Sequence, residues 1–573
     1  MFDALFTTTT EYQKLSHALS GKGACALFGL PASGRAQVYA ALCRQLDKPL
    51  CIVTPGEAEA TRFAADLNTL GIPAAVFPAR DYVLRPIEGT AREYEYCRLA
   101  VLGELVGGRL RAVAVPAEAL TQFTTPKEDF CANTRTLHAG DTLLRDDLLA
   151  ALFGAGYTRR AQVDGPGQFS VRGDIVDIFA PDQKMPVRME FWGDEIDTLH
   201  TFDLTTQRRE DAIDKFYLSP AREVLFGKPA DAAEQLRAFL AKQRGKKKTA
   251  MTDCMAADLD LLDGGAVPVN MDKYLAVRYP HPATVLDYFD DPILVAEEPA
   301  SIREADRATV YRRGEELKSL ILDGVLCAGL DNLYADPSYL WSKTGHYRTI
   351  CAENFARSMP DQPLKDIINA PAHTLPAWNG EVAGLLEDLK PLCDAGYTVT
   401  LLAGTDRAAA GLARDLRDKG ILVTTDAAAA PAAGLVQVLA GHLSAGCEFP
   451  FAKYALLTGR AFGETSSQKK KRKKAKDALN SLTEITPGDL VVHQNHGIGR
   501  YAGIQRMAVQ GVTKDYLRIE YDKKDVLYVP VTQLDLLSRY TAPGDSENVK
   551  LSRLGGAEWT KTRKKVRAAT EQM

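Results

Sequence analysis

Over its first 80 residues the chain alternates short apolar runs with amphipathic helical stretches, a pattern that folds as a parallel sheet covered by helices. Ala24–Phe28 reads as a strand, Ala36–Leu46 as a helix and Leu50–Thr54 as a second strand. Glu57–Leu70 follows as a helix, and Gly71-Ile72-Pro73 leads into the strand Ala74–Phe77. Arg92–Val106 has helical periodicity, and Arg111–Val115 is a further strand. One such unit does not fill 573 residues, a length that calls for about three to five domains.

The net charge of −4 excludes a protein that grips nucleic acid over its whole surface, so any such contact is local. No apolar run approaches the ~18 residues of a membrane span. The opening MFDALFTTTTEYQKL lacks the layout of a signal peptide, so a cytoplasmic protein without membrane contact is expected. The 10 cysteines are far apart with no CxxC pair, which fits reduced core thiols better than disulfides or a zinc site.

The predicted fold class is multidomain α/β. A degenerate P-loop-type parallel-sheet domain with a helical connector takes residues 1–125 and 221–340, around an inserted β-rich module at 126–220. A second small α/β domain occupies 350–462, where Thr398–Leu402, Arg407–Asp418 and Leu422–Thr424 repeat the opening pattern, as a related domain or as two ordinary βαβ units. Residues 463–482 form a linker whose basic run Lys469–Lys476 is a solvated tether or a weak nucleic-acid contact. Alternating runs then predict a small SH3/Tudor-like β barrel at 483–541, and 542–573 a connector ending in the basic helix Ala557–Met573.

The turn after the first strand, Gly29-Leu30-Pro31-Ala32-Ser33-Gly34-Arg35-Ala36, stands where a phosphate-binding GxxxxGK[ST] loop belongs. That chemistry needs a Lys at the β/γ-phosphates and a hydroxyl on Mg²⁺. Arg35 replaces the Lys and Ala36 the hydroxyl residue, and a planar guanidinium is no conservative substitute there. The DExD-like string Asp194–Asp197 follows Gly193-Asp194, which reads as a hairpin turn. Gly497-Ile498-Gly499-Arg500-Tyr501-Ala502 fits a dinucleotide fingerprint, but strand-like residues follow it where a helix is required. No nucleophile–base or paired-carboxylate set stands out, so no catalytic residue, cofactor or metal is expected. His493 and His496 fall on a loop, where a hydrogen-bonding role is favoured over metal ligation.

Two stretches read as docking surfaces. In Val187–Trp192, alternation sets Val187, Met189 and Phe191 on one face and Arg188, Glu190 and Trp192 on the other. An outward Arg and Trp are the residue types of binding hot spots, with Arg172 placed to join them; the alternative is a Trp packed beneath a neighbouring domain. Ile504–Val509 either lies at a sheet edge, open to a partner's strand, or is an interior strand.

Phe169–Pro181 with Arg188–Asp197 resembles the UvrB-like module, and Gly488–His493, His496–Tyr501 and Leu527–Val531 resemble the CarD-like RNA-polymerase-interaction domain. Together they make the chain similar to the N-terminal half of the transcription-repair coupling factor family, with residues 1 to about 340 UvrB-like. The resemblance implies that Arg172, Arg188 and Trp192 contact the damage-recognition protein UvrA, Trp192 standing where a Phe is usual. It implies that the strand bearing Met507 and Val509 pairs with the RNA polymerase β subunit. It further implies a fragment whose ATP- and magnesium-using, double-stranded-DNA-translocating motor lies beyond Leu551–Met573, and whose UvrA face lacks a masking C-terminal domain. The expected function is coupling of stalled polymerase to nucleotide excision repair by docking; a stand-alone CarD-like regulator is the alternative.

Overall fold

The computed structural model describes residues 3–86, 92–356, 362–378, 380, 382–430, 432–459, 487–493, 496–509, 512–522, 525–530, 537–540 and 551–553. The first sheet has seven strands in the order Leu364–Asn369, Gly23–Phe28, Arg348–Glu353, Ile293–Glu297, Leu50–Thr54, Ala112–Pro116, Ala74–Val76. Every pairing in it is parallel. Leu50–Thr54 and Ile293–Glu297 are apolar at all but their last position because each feeds two cores. Ile52 points into the core under the helices Ala32–Leu46 and Glu57–Thr69, while Cys51 and Val53 point to the opposite core beneath Glu93–Val106.

The expected break between domains at 340–350 falls inside this sheet. Arg348–Glu353 and Leu364–Asn369 flank Gly23–Phe28, so the first domain extends to at least Asn369. A five- or six-residue apolar run satisfies any parallel sheet equally, and its own residues do not say which one it joins.

The β-rich insertion is a six-stranded sheet in the order Arg209–Ala212, Glu195–Phe202, Val187–Trp192, Ile175–Phe179, Gln168–Arg172, Thr158–Arg159. Gly193-Asp194 is the two-residue hairpin turn read from the sequence: Glu195 pairs with Trp192, and Gly193 has φ +62°. Where the insertion returns to the first domain, the fully buried Arg98 donates to Glu223 through Nε at 2.6 Å and to Gln122 at 2.9 Å. Arg80 shares Glu223 at 3.1 Å and reaches Asp272 at 2.7 Å, so one buried ion network ties the insertion, the helix Glu93–Val106 and the helical region together.

The second α/β unit has the strand order His373–Leu375, Gly446–Phe449, Tyr454–Thr458, Thr398–Leu402, Val436–Leu439, Val423–Thr424. Its last four strands are parallel and its first two pair antiparallel. Its antiparallel side is packed against the first domain: Cys447, Phe449, Tyr454 and Leu456 belong to the core that holds Phe6 and Tyr39.

The last unit is a five-stranded antiparallel sheet in the order Val526–Pro530, Val512–Glu520, Gly497–Val509, Leu490–His493, Leu537–Arg539. The glycines of Gly497-Ile498-Gly499 open a strand, not a helix, so they are not placed as a dinucleotide fingerprint requires. The basic linker, the Gln510-Gly511 turn and the helix Ala557–Met573 lie outside the described residues. All ten cysteines are free thiols. Among the described residues no helix is long and apolar enough to cross a membrane.

Candidate docking sites and a sealed phosphate loop

The degenerate loop is built as its sequence suggests, strand to glycine turn to helix, with Gly29 at φ +87°. The helix it opens is buried from Ser33 to Cys43. Ser33, Gly34, Arg35 and Ala36 are all buried. Ser33 Oγ donates to the Gly446 carbonyl at 3.5 Å, and a Cβ on Gly34 would stand 2.9 Å from Cys447 Sγ. The strand Gly446–Phe449 therefore lies against the first helical turn, the turn whose N–H groups a phosphate would need.

Arg35 points away from that turn. Its Nε lies 3.0 Å from Glu297 Oε2, and its Nη1 donates to Glu298 Oε1 at 2.9 Å. Tyr39 Oη donates to the other Glu297 oxygen at 2.6 Å. Burial raises the Glu297 carboxyl above its ordinary range against the pull of Arg35 and Tyr39. Arg35 is held above its usual value because the attraction of Glu297, Tyr39 and Glu298 outweighs its own burial. Ile293–Ala296 followed by Glu297-Glu298 is an apolar strand ending in two carboxylates, the arrangement that holds magnesium in a working phosphate site. Sequence reading passed over it. Here the guanidinium supplies those carboxylates with positive charge.

On the inserted sheet, Val187, Met189 and Phe191 are buried as the alternation predicts, and Trp192 is 82% exposed, not packed beneath a neighbour. Arg188 departs from expectation. Its side chain is only 12% exposed. It donates to both oxygens of Asp177, at 2.7 and 2.9 Å, and to the Gln207 carbonyl at 3.1 Å, over the Phe202 ring. Arg172 reaches the same carboxylate at 2.8 Å while half its side chain stays in water. Asp177, buried and directly opposite Arg188 in the sheet, thus fixes both arginines, a role sequence reading missed. A lone acid inside the apolar run Ile175–Phe179 was the available signal.

In the last sheet, the strand bearing Met507 and Val509 pairs with Val512–Glu520 through Val509 and Val512. On its other side Leu490–His493 pairs only as far as Arg500. Among the described residues no strand pairs with the other edge of residues 503–509. His493 is fully buried and His496 lies beside it, and both meet Glu93 of the first domain.

Residues 136–224 match the family model described as the UvrB interaction domain, and residues 485–541 match the CarD-like/TRCF RID domain. The transcription-repair-coupling factor of Bacillus subtilis (strain 168) is 28% identical over 562 residues, 96% of this chain and 47% of that protein. The chain is related to the transcription-repair-coupling factors. Those of Staphylococcus haemolyticus (strain JCSC1435) and Staphylococcus aureus (strain MRSA252) are 28% and 26% identical over 563 and 583 residues, 95% and 99% of this chain. The chain spans about half the length of the curated relatives it matches, 47% to 49%. Trp192 and Arg172 lie in the stretch that matches the UvrB interaction domain, and residues 503–509 lie in the stretch that matches the CarD-like domain.

Proposed function

We propose that this chain is a docking platform of transcription-coupled repair: the CarD-like unit, read as an SH3/Tudor-like barrel, binds the RNA polymerase β subunit, and the UvrB-like insertion recruits UvrA. The observation that carries the reading is the presence, in one chain, of an aromatic anchor 82% exposed on the same sheet as a half-exposed arginine, and of a strand edge at 503–509 that no strand covers among the described residues. Trp192 supplies desolvatable area and Arg172 a bidentate donor, the hot-spot chemistry of a protein interface. The strand edge offers backbone N–H and C=O groups in register for a partner strand. In this reading the chain itself turns over no ATP, because the phosphate-loop-like turn after its first strand carries Arg35 and Ala36 and is covered by Gly446–Phe449. ATP, magnesium and double-stranded DNA translocation belong to a motor domain of the longer protein, which acts in the cytoplasm.

The test is a pull-down of purified UvrA and, separately, of the polymerase β subunit. Trp192→Ala is expected to lose UvrA and keep polymerase. Met507→Arg is expected to lose polymerase and keep UvrA, because an unpaired charge buried in an interface costs about 3–5 kcal/mol. Equal loss of both partners in either variant would mean misfolding, and retention of both would refute the assignment.

A further inference from the structure

Glu93, the first residue of the helix Glu93–Val106, lies at a seam with the last sheet, where His493 ends one strand and His496 precedes the next. His496 Nε2 is 3.3 Å from Glu93 Oε1, and the two imidazole rings lie 4.6 Å apart, tilted by 44°. One donor atom from each of the three residues falls within 4.8 Å of the others. We propose that Glu93, His493 and His496 form a binding site for a divalent transition-metal ion of the zinc class, stapling the CarD-like unit to the first α/β domain.

The donor set is two imidazoles and a carboxylate, the N₂O composition that leaves a fourth position open on zinc. Ligands at ordinary zinc distances lie about 3.4 Å apart in a tetrahedron. The Glu93–His496 pair already has that spacing, and the widest separation leaves no more than about 1.4 Å to close, within the reach of a ring rotation.

The seam also holds unsatisfied oxygen. Glu93 Oε2 and Tyr521 Oη are buried, and among the described residues neither has a hydrogen-bond partner.

The test is titration of the metal-free full chain with Co²⁺, then displacement by Zn²⁺. The expected result is one equivalent with visible d–d bands, no thiolate-to-cobalt band near the ultraviolet, and loss of the signal on adding zinc. Glu93→Gln and His496→Ala should each weaken Co²⁺ binding by about tenfold or more, while His346→Ala, outside the cluster, should leave it unchanged. Glu93→Gln is close in shape, so a folded variant that binds as tightly as the parent overturns the site. So does a parent chain that gives no d–d spectrum, or one whose spectrum carries thiolate character.

Discussion

Removing the Arg35 guanidinium is the sharpest way to ask whether the degenerate loop has become structure. In Arg35→Ala, Glu297 is left inside the protein with Tyr39 as its remaining hydrogen-bond donor. The side chains of Arg35 and Glu297 are 3% and 2% exposed at a separation of 3.0 Å, so this is a buried pair whose breakage costs about 3–5 kcal/mol. Glu298 is 31% exposed in its side chain, and its pair with Arg35 adds no more than about 1 kcal/mol after solvent screening. Together the loss should be about 4 kcal/mol, read as a fall in the opening free energy from hydrogen exchange in peptides spanning 23–54. Its pH dependence has a definite sign. The Glu297 carboxyl is already raised in the folded chain, and losing Arg35 raises it further. A carboxyl raised on folding contributes stability below its unfolded value, ordinarily about 4.5, and loses it as pH rises through the folded value. The deficit of Arg35→Ala should therefore be larger at pH 8 than at pH 5. Arg35→Met with Glu297→Gln, which removes both charges and keeps an acceptor for Tyr39, should restore stability to within about 2 kcal/mol of the parent. A single variant within about 1 kcal/mol of the parent, or a deficit that ignores pH, would refute the reasoning.

Gly34→Ala should cost about 1–3 kcal/mol by overpacking against Cys447 Sγ, and Cys447→Ala in the same chain should recover most of it, as measured by thermal unfolding. Asp177→Asn keeps the shape of the carboxylate but withdraws its charge from Arg172 and Arg188, so UvrA affinity should fall about tenfold or more by titration calorimetry. Trp192→Ala, at a site 82% exposed, should by contrast leave stability within about 0.5 kcal/mol in urea unfolding. Burial would raise Glu95, but Arg80, Arg92 and Arg222 outweigh it and lower its carboxyl to about 2. The stability it contributes is present above its unfolded value and lost as pH falls through about 2. Glu95→Gln should accordingly be less stable than the parent at neutral pH, and acid titration should show the gap closing toward pH 2.

Which parts of this architecture were legible depends on the distance over which their causes act. Leu50–Thr54 and Thr398–Leu402 read correctly because an apolar run between polar turns is a local property. The inward face Val187, Met189 and Phe191 read correctly because a strand's period of two is local as well. The sheet that receives Arg348–Glu353 did not, since any parallel strand of that length and composition fits either α/β unit. The sequence also showed that Arg35 and Ala36 break the phosphate motif, but not what the break is for. The carboxylate that faces the arginine and the strand that covers the turn come from far away; Ser33 meets Gly446 across 413 positions.

That long-range closure leaves the phosphate-loop-like turn no surface to offer the proposed partners. The antiparallel side of the second α/β unit is committed to the first domain, with the Phe6 ring edge-on to Phe449 at 4.9 Å and Cys447 against Gly34. Bulk placed at Gly34 meets the Cys447 thiol and the Phe449 ring, whereas Trp192 is 82% exposed. The insertion is tied to the first domain separately, through the buried network of Arg98, Glu223, Arg80 and Asp272, at contacts of 2.6 to 3.1 Å. Such a buried network would lower the ordering cost of the docking proposed at Trp192 and Arg172.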